Sequence, residues 1–161
     1  MAGFSAALPS ATTYVYDNGS TDATVSRAVE AGAVVRTEPL PGKGSVVRRM
    51  FADIDADVYV MADGDSTYDA SMAPILVNRL IDDDLDMVVG SRVGVTADAD
   101  RRGHAVGNRL FNALYRLLFG SGFADIFSGY RVFSRRFVKS FPAGFSGFEV
   151  ETEMSVHASQ L

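Results

Sequence analysis

The amino-acid sequence predicts an α/β domain whose sheet is mostly parallel and sandwiched by helices, and three observations carry that prediction. Short β-branched or aromatic runs alternate with longer stretches of helical period. Two acidic turns, Asp17 to Asp22 and Asp63 to Asp65, each follow an apolar run. The composition, 161 residues of which 47% are hydrophobic and 22% charged, is that of an ordinary globular domain. A single domain of this size buries roughly two thirds of the surface its unfolded chain exposes, so it needs neither disulfide nor structural metal to hold a core.

Taken in order, strands are expected from Thr13 to Tyr16, Ala33 to Thr37, Val58 to Ala62, Met87 to Gly90 and Tyr130 to Phe133. Helices fill the gaps. The first runs from Thr21 to Ala31, with Ser20 or Thr21 as its cap and Gly32 as its stop; the second runs from Gly44 to Ile54 and the third from Ser71 to Ile81. Val106, Leu110, Leu114, Leu117 and Leu118 recur at helical spacing, which predicts an amphipathic helix from Ala105 to Phe119, ended by the Gly120 to Gly122 turn. Its apolar stripe either faces the core or lies on a membrane, with Arg109 and Arg116 beside it. A last helix begins near Glu149, and no repeat, low-complexity tract or linker interrupts the chain.

Charge and composition exclude several classes. A formal net charge of -5 argues against a surface built for nucleic acid. The chain has no Cys, which excludes a disulfide scaffold and a thiolate metal site and suits a reducing compartment; the cytoplasm is the expected location. No apolar run reaches the roughly 20 residues that cross a bilayer, and no signal peptide is expected.

The chemistry concentrates in three segments. In Tyr59-Val-Met-Ala-Asp-Gly-Asp65 an apolar strand runs into two acids one residue apart. Strand period would point Asp63 and Asp65 to one side at a strand's carboxyl end, where open α/β sheets place ligands. Two such carboxylates suit a hard divalent cation, Mg²⁺ or Mn²⁺, that shares its other positions with a diphosphate. The plainer alternative is a turn in which Gly64 takes a positive φ.

In the second segment, Tyr16-Asp-Asn-Gly-Ser-Thr-Asp22, Asp17 is a candidate acceptor for a base N–H or ribose hydroxyl, and Asp22 is either a ligand contact or a helix first-turn acid. The third, Pro41-Gly-Lys-Gly-Ser45, stands at a helix start, where backbone amides and the Lys43 charge suit an anion; a plain turn is the alternative. It lacks the spacing of an ATPase phosphate loop. His104 and His157 have no second ligand at a metal spacing and are expected to be structural or surface residues.

In this order the segments resemble the family-2 glycosyltransferases. Asp17-Asn18-Gly-Ser-Thr-Asp22-Ala-Thr24 is similar to that family's Asp-x-x-Ser-x-Asp-x-Thr signature, followed by Gly42-Lys43-Gly44 and by Asp63-Gly64-Asp65. Val88-Val-Gly-Ser-Arg92 and Asp125-Ile-Phe-Ser-Gly-Tyr-Arg131 resemble segments of the dolichyl- and polyprenyl-phosphate sugar synthases, with Phe148-Glu149 and Glu151 in the place of an acidic stretch.

The resemblance covers nearly the whole chain and implies a GT-A, Rossmann-like fold. It also implies that a first strand, ending in Pro-x-x-Asn-Glu, is missing ahead of what reads as the end of a helix, Gly3 to Leu8, and that the acceptor side is incomplete at the C-terminus. Thr67 stands where relatives often have Gln.

On that resemblance the donor is a UDP- or GDP-sugar, held by Asp17, Asn18, Asp22, Lys43, Asp63 and Gly64, with Mg²⁺ or Mn²⁺ on Asp63 and Asp65. A lipid-phosphate acceptor is already largely dianionic at neutral pH, so it needs cations rather than a strong base. Arg92, Arg101, Arg102 and Arg131 are the candidates, although Arg101 and Arg102 also read as a solvated loop. For a hydroxyl acceptor the base by motif is Asp125, which otherwise caps a turn. Peripheral membrane contact would follow from a lipid acceptor. The competing readings are a nucleotidyltransferase and a nucleotide-binding module without turnover.

Overall fold

The computed structural model describes residues 1–90 and 128–161. Arg92, Asp125 and the helix expected over residues 105 to 119, together with Arg101, Arg102, His104, Arg109 and Arg116, lie outside the described residues. The elements are α1 (Ala2–Ala7), β1 (Tyr14–Asp17), α2 (Thr24–Glu30), β2 (Val34–Thr37), α3 (Lys43–Asp53), β3 (Val58–Met61), α4 (Ala73–Asp82), β4 (Met87–Val89), β5 (Arg131–Ser134), α5 (Arg135–Ser140) and α6 (Val150–Ala158).

Each start has a local cause. Asp22 Oδ1 accepts hydrogen bonds from the backbone N–H and hydroxyl of Thr24, so α2 begins at Thr24 and not at Thr21. Gly32, at φ +80°, turns the chain out of α2 as the sequence suggests. Asp69 caps a single 3₁₀ turn, Ala70–Met72, that leads into α4. Helix α5, absent from the sequence expectation, is capped by Ser134 Oγ, which accepts from the Phe137 N–H.

The strands form two sheets. β1 and β2 pair in parallel, Tyr14 opposite Val34 and Asp17 opposite Thr37. In the other sheet β5 lies between β3 and β4 and runs antiparallel to both, so that Val60, Val132 and Val88 share one row. Among the described strands β1 and β2 pair in parallel, and β3 and β4 run in one direction with β5 alone reversed between them. Hydrophobic period defines a strand but not its direction. Direction depends on where the chain re-enters, and β5 enters beside Met61 and Val89, at the carboxyl ends of its neighbours. Ser128 and Gly129 are thereby delivered to the rim where β3 runs into Asp63.

The main core lies between α3, this sheet and the two C-terminal helices. Val47 and Phe51 from α3 meet Tyr59, Phe133, Phe137 and Met154. Phe133 stacks on Phe137 at 4.8 Å and meets Phe51 edge-on at 5.5 Å. Tyr16, Arg36 and Arg49 converge on the Asp53 carboxylate at 2.9 to 3.0 Å, fastening β1 and β2 to the end of α3. His157 packs on Phe137 and Phe141 and meets Ser140, a structural position, as its sequence neighbourhood suggests.

On the other side, Phe4 of α1 meets Tyr130 edge-on at 5.7 Å. Tyr130 is 3% exposed, and its hydroxyl has no hydrogen-bond partner among the described residues. Burial, and secondarily the charge of Asp69, pushes this phenol up to about 12. The unfolded chain therefore ionises first: the contribution is intact below about pH 10 and is lost as pH rises toward about 12. Tyr130→Phe should be neutral or stabilising by up to about 1 kcal/mol at pH 7, since no bond is lost. It should also flatten the alkaline decline in stability by about 2 kcal/mol, read by urea unfolding at pH 8 to 12.

Candidate functional site

The site begins at the end of β1. Asp17 is 8% exposed, and its carboxylate turns back to accept the N–H groups of Gly19 and Ser20 at 3.3 and 3.2 Å. The hydrogen bonds from Ser20, opposed in part by burial, hold its carboxyl below the usual range. Asn18 donates to the carbonyls of Glu38 and Leu40 at 2.6 and 2.8 Å and accepts the Gly42 N–H at 2.9 Å. Its amide is thus committed to the β2–α3 loop. Asn18 positions the segment that carries Lys43, a role the sequence reading did not assign to it.

Gly42 stands at φ +110°, and a Cβ on either Gly42 or Gly44 would overlap the backbone of Phe145 and Ser146. The Ser146 carbonyl accepts from Gly44 N at 2.8 Å and from Ser45 N at 3.4 Å. The helix-start amides expected to face an anion are therefore capped by the chain itself in this structure. Lys43 supplies the charge instead. Its ammonium lies 2.6 Å from Asp63 Oδ1 and 2.6 Å from Glu151 Oε1, with the three side chains 17%, 34% and 8% exposed in that order. Burial opposes the positive charge, but the two carboxylates outweigh it and hold the Lys43 pKa above its ordinary value.

β3 ends at Met61, so Asp63 and Asp65 lie beyond the strand, Asp65 in a turn, and strand period does not orient them. Gly64 is exposed, with no positive φ and no atom within 4 Å of a Cβ there; the left-handed residue is Ser66, at φ 63°. Asp65 is exposed and accepts the Thr67 N–H at 3.0 Å. The Thr67 hydroxyl and amide, with a smaller contribution from the Lys43 charge, hold its carboxyl below the ordinary range. Gly129, brought in by β5, packs so tightly on the Asp63 carboxylate that a Cβ would overlap it, and its N–H donates to Tyr68 at 2.8 Å.

Lys43 and Asp63 thus come together, and Asp65 lies close enough for the Lys43 charge to act on it. Glu151 joins them across 108 positions and was legible beforehand only as part of an acidic stretch. Asp22 serves α2, and Asp17 binds its own turn. Arg131 is fully buried: its guanidinium donates to the Ser128 carbonyl at 2.9 Å and to Ser155 Oγ at 3.0 Å and lies 3.4 Å from Met87 Sδ. That burial places it within the fold and not at a phosphate-facing surface, contrary to its expected acceptor role.

Among the described residues no three metal-ligating side chains form a cluster. The donor set nevertheless fits a hard divalent ion, because Mg²⁺ is commonly bound by one or two carboxylates with phosphates and water filling the remaining positions. Asp63 already holds a cation, the Lys43 ammonium, and Asp65 lies exposed one residue beyond the glycine. No helix among the described residues is long and apolar enough to cross a membrane.

Residues 11–141 match the model of glycosyl transferase family 2, and the chain belongs to that family. A glycosyltransferase of Haloferax volcanii, AglJ, is 38% identical over 148 residues, which are 91% of this chain and 48% of that protein. The dolichyl-phosphate hexose transferase of the same organism is 32% identical over 118 residues, 73% of this chain and 51% of the relative. Glucosyl-3-phosphoglycerate synthase from Mycobacterium tuberculosis, solved with Mn²⁺, UDP-glucose and phosphoglyceric acid, superposes with a TM-score of 0.70 at 29% identity, over 89% of this chain and 52% of that one. The fold is therefore of the GT-A α/β class, and the chain spans about half the length of these relatives.

Proposed function

We propose that the chain carries the donor-binding part of a hexosyltransferase that moves a sugar from a nucleoside-diphosphate sugar to a polyprenyl phosphate. The observation that carries the donor half is the contact of Lys43 with Asp63 at the rim of β3, with Asp65 two residues on, in a family whose solved relative binds UDP-glucose and Mn²⁺. The acceptor half is supported by the resemblance to a dolichyl-phosphate hexose transferase.

In this reading Asp63 and Asp65 hold Mg²⁺ or Mn²⁺, which supplies Lewis-acid neutralisation of the departing nucleoside diphosphate. Lys43 faces the diphosphate as a mobile point charge. Asn18 holds the Lys43 loop in place, and Asp17 shapes the turn beside the nucleoside. Gly64 leaves room over the carboxylates. Arg92, Arg101 and Arg102 are the remaining candidates for the acceptor phosphate, and Asp125 is the base if the acceptor is a hydroxyl. A lipid acceptor would bring the protein to the cytoplasmic face of a membrane.

The test is a binding panel of UDP-, GDP- and dTDP-sugars with Mn²⁺ on the intact protein, followed by transfer to a polyprenyl phosphate. One sugar nucleotide should bind preferentially and yield a glycosylated lipid phosphate. Binding without transfer to any lipid phosphate would remove the acceptor assignment, and no metal-dependent binding would remove the donor assignment.

A further inference from the structure

The two partners of Lys43 are held very differently. Asp63 lies at the open rim with its side chain 34% exposed. Glu151 is 8% exposed in the first turn of α6; its carbonyl accepts from Ser155 Oγ, which in turn receives the buried Arg131 guanidinium. One carboxylate is accessible and the other is anchored in the core. The ammonium between them sits on a flexible four-carbon stem.

Lys43 is the cation that Asp63 and Glu151 share among the described residues, and without it the carboxylates of Asp63, Asp65 and Glu151 would face one another without that neutralising charge. With a divalent ion on Asp63, an ammonium 2.6 Å from the same carboxylate would face strong like-charge repulsion. Lys43 and a divalent ion thus compete for Asp63, while only Lys43 has a second, anchored partner.

We propose that Glu151 is a positioning residue that retains Lys43 as an exchangeable internal cation: the ammonium neutralises Asp63 in the nucleotide-free protein, a divalent ion displaces it, and Glu151 keeps it beside the site to meet the diphosphate. This rests on the donor-site reading above and adds to it a cation exchange and a role for Glu151.

The experiment is a titration of the intact protein with Mn²⁺ alone, reading free Mn²⁺ by electron paramagnetic resonance. It is carried out below the melting transition of every variant, so that a change in stability is not read as a change in affinity. Lys43→Met removes the competitor and should tighten Mn²⁺ binding about tenfold. Glu151→Gln leaves the ammonium to lean on Asp63 alone and should weaken it severalfold. The double variant should match Lys43→Met, because Glu151 acts only through the lysine.

A Lys43→Met protein that binds Mn²⁺ no more tightly than the wild type overturns the exchange. A double variant weakened as much as Glu151→Gln overturns the role of Glu151. If the wild type and all variants fail to bind Mn²⁺ even with UDP present, the metal-assisted donor site falls too. An intact wild-type response with an unresponsive Lys43→Met removes the exchange alone.

Discussion

Asp65→Ala should reduce the affinity for a nucleoside diphosphate in Mn²⁺ about 100-fold, or roughly 2.7 kcal/mol, and should bring it to the level that the wild type shows in EDTA. The side chain is exposed, and its only described hydrogen bond is to the neighbouring Thr67, so folding stability should change by less than about 0.5 kcal/mol. Because Thr67 and Lys43 hold its carboxyl below the ordinary range, Asp65 stays ionised throughout the neutral region. Its contribution should therefore be constant from pH 6 to 8 and be lost only as pH falls through that depressed value. Calorimetry with UDP, with and without EDTA, decides the matter. Equal wild-type affinity in both conditions would remove the metal role.

The second large effect is on stability. Arg131→Ala removes a fully buried guanidinium and strips hydrogen bonds from the Ser128 carbonyl and Ser155 Oγ, both in the interior. The cavity and the groups left unsatisfied should together cost about 3 kcal/mol or more, visible as a lower urea midpoint. Transfer to a lipid phosphate and slow hydrolysis of the sugar nucleotide should fall together, since the loss acts through the fold that seats Glu151 and Gly129. A variant of normal stability that loses only transfer to the lipid would return Arg131 to the acceptor site.

The Arg131 case shows what the sequence could and could not reveal. The strand from Arg131 is legible from Val132 and Phe133, and the motif around it led to the right family. The same motif, taken as a ligand for phosphate, misassigned a residue whose guanidinium serves the backbone and a helix. The Asp63-Gly64-Asp65 acids were legible because such pairs need a cation. Strand period does not orient them, since the strand ends two residues before Asp63. Glu151 could not be found from spacing, because it meets Lys43 only once β5 has turned back between its neighbours and α6 has packed behind it. Asn18 is a similar case: an Asn in a turn reads equally well as a ligand or as a clamp, and only its three bonds to the next loop decide.

The span of the Lys43–Glu151 pair has a consequence during synthesis. The two residues are 108 positions apart, whereas the β1–β2 pairing joins positions separated by only 20. The parallel pair can close while the ribosome is still extending the chain, but the lysine has no anchored partner until α6 has emerged. On the nascent polypeptide, nucleotide recognition should therefore mature late, well after the segment that bears Lys43 and Asp63 has left the exit tunnel. Such a long closure also favours slow final folding steps over fast local ones.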